Sequence, residues 1–74
     1  MSLNKENRRI FSGYLRAVER AKVRKETHAQ ELEYLKSKPD KDHVVYMRNK
    51  LTRLIGMLDD KIEFYEDLMA RFIQ

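Results

Sequence analysis

The chain has 74 residues with 38% charged side chains, no cysteine, two glycines and one proline. That length allows one small domain. The absence of cysteine rules out disulfides and thiolate metal sites, and fits a reducing compartment. The net charge of +4 is uneven. Residues 1–38 hold ten Lys/Arg and five Asp/Glu, hence +5; residues 39–74 hold six and seven, hence −1. A modest positive charge bears on partners and says nothing about fold. No apolar run approaches the ~20 residues a bilayer span needs. The first residues, MSLNKENRR, lack the apolar stretch of a secretory leader. The expectation is a cytoplasmic protein with no membrane association.

The first element is a helix over about residues 4–36. On a helical wheel Ile10, Phe11, Tyr14, Leu15, Ala17, Val18, Ala21, His28, Ala29, Leu32 and Leu35 share one broad face. Asn4 suits the N-cap and Glu6 the first turn. Lys22 and Lys25 interrupt the apolar face. Lysine is seldom fully buried, so the stems should cover apolar surface while the ammonium groups reach water or an acidic partner. A polar break of this kind can also set packing register.

The turn, about residues 37–41, contains SKPDK. Pro39 disfavours helix at Lys38. Ser37 or Asp40 is expected to cap the following helix, with Asp42 in its first turn. The second helix covers about 42–73. Val44, Met47, Leu51, Leu54, Leu58, Tyr65, Leu68 and Phe72 alternate by three and four, with Lys61 as the polar exception. Ile55, Ile62 and Met69 widen that stripe. So short a connection predicts an antiparallel, all-α helical hairpin, coiled-coil-like, in one domain spanning 1–74.

Two helices bury only one stripe against each other, and the apolar faces are wider than one neighbour covers. The expectation is therefore a homodimer forming a four-helix bundle, with a hetero-complex as the next choice. The shape is similar to that of plasmid-encoded RNA-binding hairpin dimers and of small helical secretion chaperones. No motif of either is present, so this is a likeness of architecture alone.

Two surfaces are candidates for binding. One is a basic belt. With the chain folded about Pro39, residue 25 comes level with residue 53, so Arg48, Lys50 and Arg53 should lie beside Arg16, Arg20, Lys22, Arg24 and Lys25. Such a belt could hold a phosphate backbone or an acidic protein. Its bland counterpart is a solvated face with local pairs such as Glu19–Lys22 and Lys22–Glu26. The other candidate is a stripe on the outer side of the second helix, Tyr46, Arg53, Met57 and Phe64. These residue types are enriched at protein interfaces. Its bland counterpart is scattered exposed apolar residues.

His28 and His43 fall far apart in a hairpin, and Asp40-x-x-His43 offers two ligands on a turn, short of a metal site. The isolated glycines make no phosphate loop. A hairpin this small has no ligand-sized pocket. The sequence therefore points to a small, non-enzymatic protein–protein interaction module of adaptor, inhibitor or chaperone type, needing no cofactor or metal, with an unidentified protein partner. The alternatives are an RNA- or DNA-binding bundle using Arg16, Arg20, Arg24, Arg48 and Arg53, and a structural subunit of a larger helical assembly.

Overall fold

The computed structural model describes residues 4–73, with the side chain of residue 73 left out. Helix α1 runs Lys5–Lys36 and helix α2 runs Asp42–Ile73. They pack as an antiparallel hairpin measuring 54 × 14 × 14 Å. Each helix has the length its pattern predicts, because Gly and Pro are nearly absent from the interiors and three-four spacing persists throughout.

Asn4 caps α1, its side-chain oxygen accepting from the Asn7 N–H at 2.7 Å. The far end closes differently from the expectation. Ser37 serves as the C-cap of α1 and not as the N-cap of α2. Its hydroxyl donates to the Tyr34 carbonyl at 2.6 Å, and its N–H bonds the same carbonyl at 3.2 Å. The Lys38 N–H donates to Leu35 O at 3.1 Å, and the Lys38 ammonium sits 4.6 Å from the Tyr34 ring centroid. These bonds satisfy carbonyls that the end of α1 leaves open. Asp40 does not cap α2 either; its carboxylate is drawn to Arg48. Among the described residues no backbone φ is positive, so the turn is built without a left-handed residue.

The seam between the helices differs from the sequence expectation in α2. On α1 it follows Phe11, Tyr14, Val18, Ala21, Lys25, His28, Leu32 and Leu35. Val18 and Ala21 are buried, and Ile10 and Leu15 fall outside on opposite flanks. On α2 the seam follows Val44, Arg48, Leu51, Ile55, Leu58, Ile62, Tyr65, Met69 and Phe72. Arg48 is thus more covered than Met47 and Ile62 than Lys61, while Leu54 and Ile55 are half-buried alike, as are Leu68 and Met69. Ile62 is buried and packs with Val18 and Ala21, against Leu58, Tyr65 and Met69. Lys61 is exposed.

The physical reason lies in where each choice puts its one cation. The expected stripe would bury Lys61 at the middle of the rod. The observed one buries part of Arg48, near the start of α2, where its guanidinium reaches Asp40 and water. Tyr14 joins the aromatic end of the seam, with ring centroids 5.5 Å from Tyr65 and 5.9 Å from Phe72.

Gly56 lies inside α2 with no heavy atom within 4 Å of where a Cβ would stand. Nothing in the hairpin therefore requires glycine there. Gly56→Ala should stabilise the protein by about 0.5–1 kcal/mol. Thermal unfolding followed by circular dichroism should show a midpoint higher by several degrees.

Candidate functional site

The sequence placed Arg48, Lys50 and Arg53 beside Arg20–Lys25, and the structure does not. Lys25 Nζ lies 2.5 Å from Asp59 Oδ1, and Lys22 Nζ lies 3.9 Å from Glu66 Oε2. The acidic run of α2 therefore meets the basic stretch of α1, and the single belt does not form. Side-chain direction contributes to this, together with the stagger of the two helices. Helical side chains lean toward their own N-terminus. In an antiparallel pair the two leans add, so each α1 residue meets an α2 residue further from the turn than backbone level implies. Arg48, Lys50 and Arg53 sit correspondingly closer to the turn end.

The two flanks of the seam now have different characters. One flank carries Lys22, Lys25 and Glu26 with Asp59 and Ala29 around a shallow groove of about 350 Å³. Its ammonium groups already face carboxylates. Those side chains are 42–59% exposed, so the pairs contribute about 1 kcal/mol or less apiece. Lys22 and Lys25 thus find acidic partners in their own chain.

The other flank carries Ala17, Arg20, Ala21, Arg24, Leu58 and Lys61 around a cleft of about 170 Å³. The wheel extends this flank through Ile10 and Gly13 on α1, and through Met47, Leu54, Met57, Phe64 and Leu68 on α2. Ala17, Leu54 and Leu68 are half-buried. Ile10 is 38% exposed, Met47 37%, Met57 61% and Phe64 59%. Apolar side chains thus recur along this side of the rod, a lane interrupted at mid-rod by Arg20, Arg24 and Lys61. Arg20, Arg24 and Lys61 make no ion pair among the described residues.

The outer stripe expected on α2 is exposed along its length. Met57 and Phe64 form the edge of this lane, the Phe64 ring standing edge-on to Tyr65 at 5.5 Å. Tyr46 and Arg53 are exposed as well and share the wheel position of Met57 and Phe64, nearer the turn. The expected basic belt divides. Arg20 and Arg24 border the lane. Lys22 and Lys25 border the opposite groove. Arg16 is exposed on the outer side of α1, Arg48 is in the seam, and Lys50 is exposed. The three-four stripe carries Lys61 as its polar exception, and Lys61 is the member the structure leaves exposed, while Leu54 and Leu68 are half-buried. The signal for its exposure was the adjoining stripe Ile55–Ile62–Met69, which has no lysine at mid-rod.

Lys5, Arg8, Arg9 and Arg16 surround Ser12 and Gly13 on α1 in an open depression of about 430 Å³. Arg48 Nε and His28 Nδ1 are buried without a hydrogen-bond partner in the hairpin. Among the described residues no group of three or more His, Cys, Asp or Glu could hold a metal ion, and no helix is long and apolar enough to cross a membrane.

These features define a two-helix hairpin with one ion-paired flank and one open apolar flank. No family model, curated protein or solved structure matches the chain.

Proposed function

We propose that the protein is a small, non-enzymatic protein–protein interaction module, whose hairpin completes its core against helices of another chain. The observation that carries this is the open lane. Only Val18, Ala21, Val44, Leu51 and Ile62 are buried hydrophobics among the described residues, while Ile10, Met47, Met57 and Phe64 stand exposed along one flank. Exposed apolar side chains gathered on one flank suit an interaction site, though Leu15, Val23, Tyr34 and Val45 are exposed elsewhere. In the four-helix form two hairpins stack lane to lane. That form sets Arg24 and Lys61 of the two copies against one another, so charge favours a different chain as the occupant. A cytoplasmic location is part of this proposal and rests on the cysteine-free composition.

The test is Phe64→Glu. Helical content should survive, and stability should change by no more than about 1 kcal/mol, because the ring is mostly solvated and loses one aromatic contact. Capture of the partner by the tagged protein should be lost. Loss of folding instead would place Phe64 in the structural core and remove the proposal for this surface.

One observation favours a second reading, binding of nucleic acid. The depression bordered by Lys5, Arg8, Arg9 and Arg16 has no carboxylate in its lining, as a phosphate backbone requires. Duplex RNA or DNA would then be retarded on a gel at low salt, with affinity falling steeply as salt rises. No retardation at low salt removes it.

A further inference from the structure

We infer that the lane takes an amphipathic helix of a different protein, with an apolar stripe and glutamate or aspartate on its flanks. This rests on the interaction-module reading and names the chemistry of the partner.

Size and shape come first. On α1 the cleft is lined by Ala17 and Ala21, neither of which projects far, so another helix can approach the backbone closely. Leu54, Leu58 and Leu68 form the facing wall. A groove with small residues on one side and leucines on the other fits the apolar stripe of a helix better than an extended strand, because neither helix offers unpaired backbone groups along its length.

Charge selects among helices. Arg20, Arg24 and Lys61 all border the cleft at mid-rod. On the wheel Lys50 and Arg71 continue the same flank toward the two ends, against Glu6 and Glu31. Five cations thus face two carboxylates. The opposite flank shows what this chain does with lysines that have acidic neighbours: Lys22 and Lys25 are drawn to Glu66 and Asp59. Arg20, Arg24 and Lys61 make no ion pair among the described residues, although Glu19 lies beside Arg20 and Arg24. A helix carrying carboxylates beside its apolar stripe would supply one.

A second copy is the poorer occupant. Arg20, Arg24 and Lys61 lie near the middle of the rod, since α1 spans 5–36 and α2 spans 42–73. Two hairpins overlapping fully along this lane bring their middles together, whether the turns lie at the same end or at opposite ends. Either two-fold arrangement therefore opposes these cations to themselves, and like charges facing across an interface cost several kcal/mol. Nucleic acid fits less well, because Met57 and Phe64 would have no apolar counterpart along a phosphate backbone.

The test uses a fluorescent synthetic peptide of about four heptads, with leucine at the two seam positions and glutamate on both flanks. A matched peptide carries lysine at the flanking positions. Fluorescence anisotropy with the full chain should show binding of the acidic peptide that weakens with salt, and at least about tenfold weaker binding of the basic one. The triple substitution Arg20→Glu, Arg24→Glu, Lys61→Glu should reverse that preference with helical content unchanged, because all three side chains are exposed. Equal binding of both peptides, or a preference that the triple substitution leaves in place, would overturn the inference. Sedimentation equilibrium separates the remaining cases. A 9.0 kDa species that binds the acidic peptide supports the inference. A dimer that Ala17→Arg dissociates, with no peptide bound, overturns it and keeps the interaction module with a second copy in the lane. A monomer that binds neither peptide, and whose Phe64→Glu variant captures the same proteins as the wild type, overturns both.

Discussion

Leu51→Ala should lower the stability of the hairpin by about 2–4 kcal/mol, the largest loss expected from any single truncation. Leu51 is the most buried hydrophobic residue of the described chain at 2% exposure. Removing a buried leucine forfeits its transfer free energy and leaves a void that the surroundings fill only in part. A chain of this size has roughly 4–11 kcal/mol of total stability, so the loss is a large share of what is there. The melting midpoint should fall by about 10–25 °C. Leu15→Ala is the internal control, since Leu15 is 42% exposed and its truncation should cost about 0.5–1 kcal/mol. Chemical denaturation of both variants measures the difference. Equal losses would mean that the seam does not run through Leu51.

Arg48→Met should act in the opposite direction and raise stability by about 1–2 kcal/mol. Arg48 occupies a seam position between Val44 and Leu51, and its side chain is only 23% exposed. Its Nε is buried without a partner, a desolvation cost of about 1–3 kcal/mol. The compensating ion pair reaches Asp40, whose side chain is 77% exposed, so water screens it and it returns about 1 kcal/mol or less. Methionine keeps the length of the stem and its packing along the seam while removing the charge. A rise of about 5–10 °C in the midpoint is expected. Asp40→Ala alone should change stability by less than about 1 kcal/mol. A fall in the midpoint of Arg48→Met would show that the guanidinium contributes more through Asp40 than it costs in the seam.

Much of the fold is legible in one dimension, because it rests on local signals. Asn4 before an amphipathic run, Pro39 after Lys36, and three-four spacing on either side are enough to place both helices and the turn. Local chemistry fails where two solutions differ by a small rotation. Ser37 could cap forward or backward, and it caps backward. Leu54 and Ile55 could each face α1, as could Lys61 and Ile62, and the sequence carries both stripes at nearly equal strength. Position 61 decides between them, because a lysine buried at mid-rod costs more than an arginine that reaches water near a helix end. Lys25 shows the same economy, sitting in the seam but reaching Asp59.

The candidate site was less legible than the fold, for two geometric reasons. The basic belt of Arg20–Lys25 with Arg48–Arg53 assumed that residues level along the backbone are neighbours. The lean of side chains toward each N-terminus, together with the stagger of the two helices, displaces those neighbours along the rod, and brings Asp59 and Glu66 in place of Arg53. Tyr46, Arg53, Met57 and Phe64 share one exposed side of α2, and only the packed hairpin shows that Met57 and Phe64 flank the half-buried Leu54 and Leu68.

By itself the sequence determined that this protein is two long helices with a short turn between them, because capping, breaker and period are written in neighbouring residues. Only the tertiary structure decided which stripe of α2 became the seam, and hence which apolar residues were left uncovered and which cations were left unpaired beside them. Those outcomes follow from the relative rotation and stagger of two helices, which are set by side chains distant in sequence and by the cost of burying one charge in place of another.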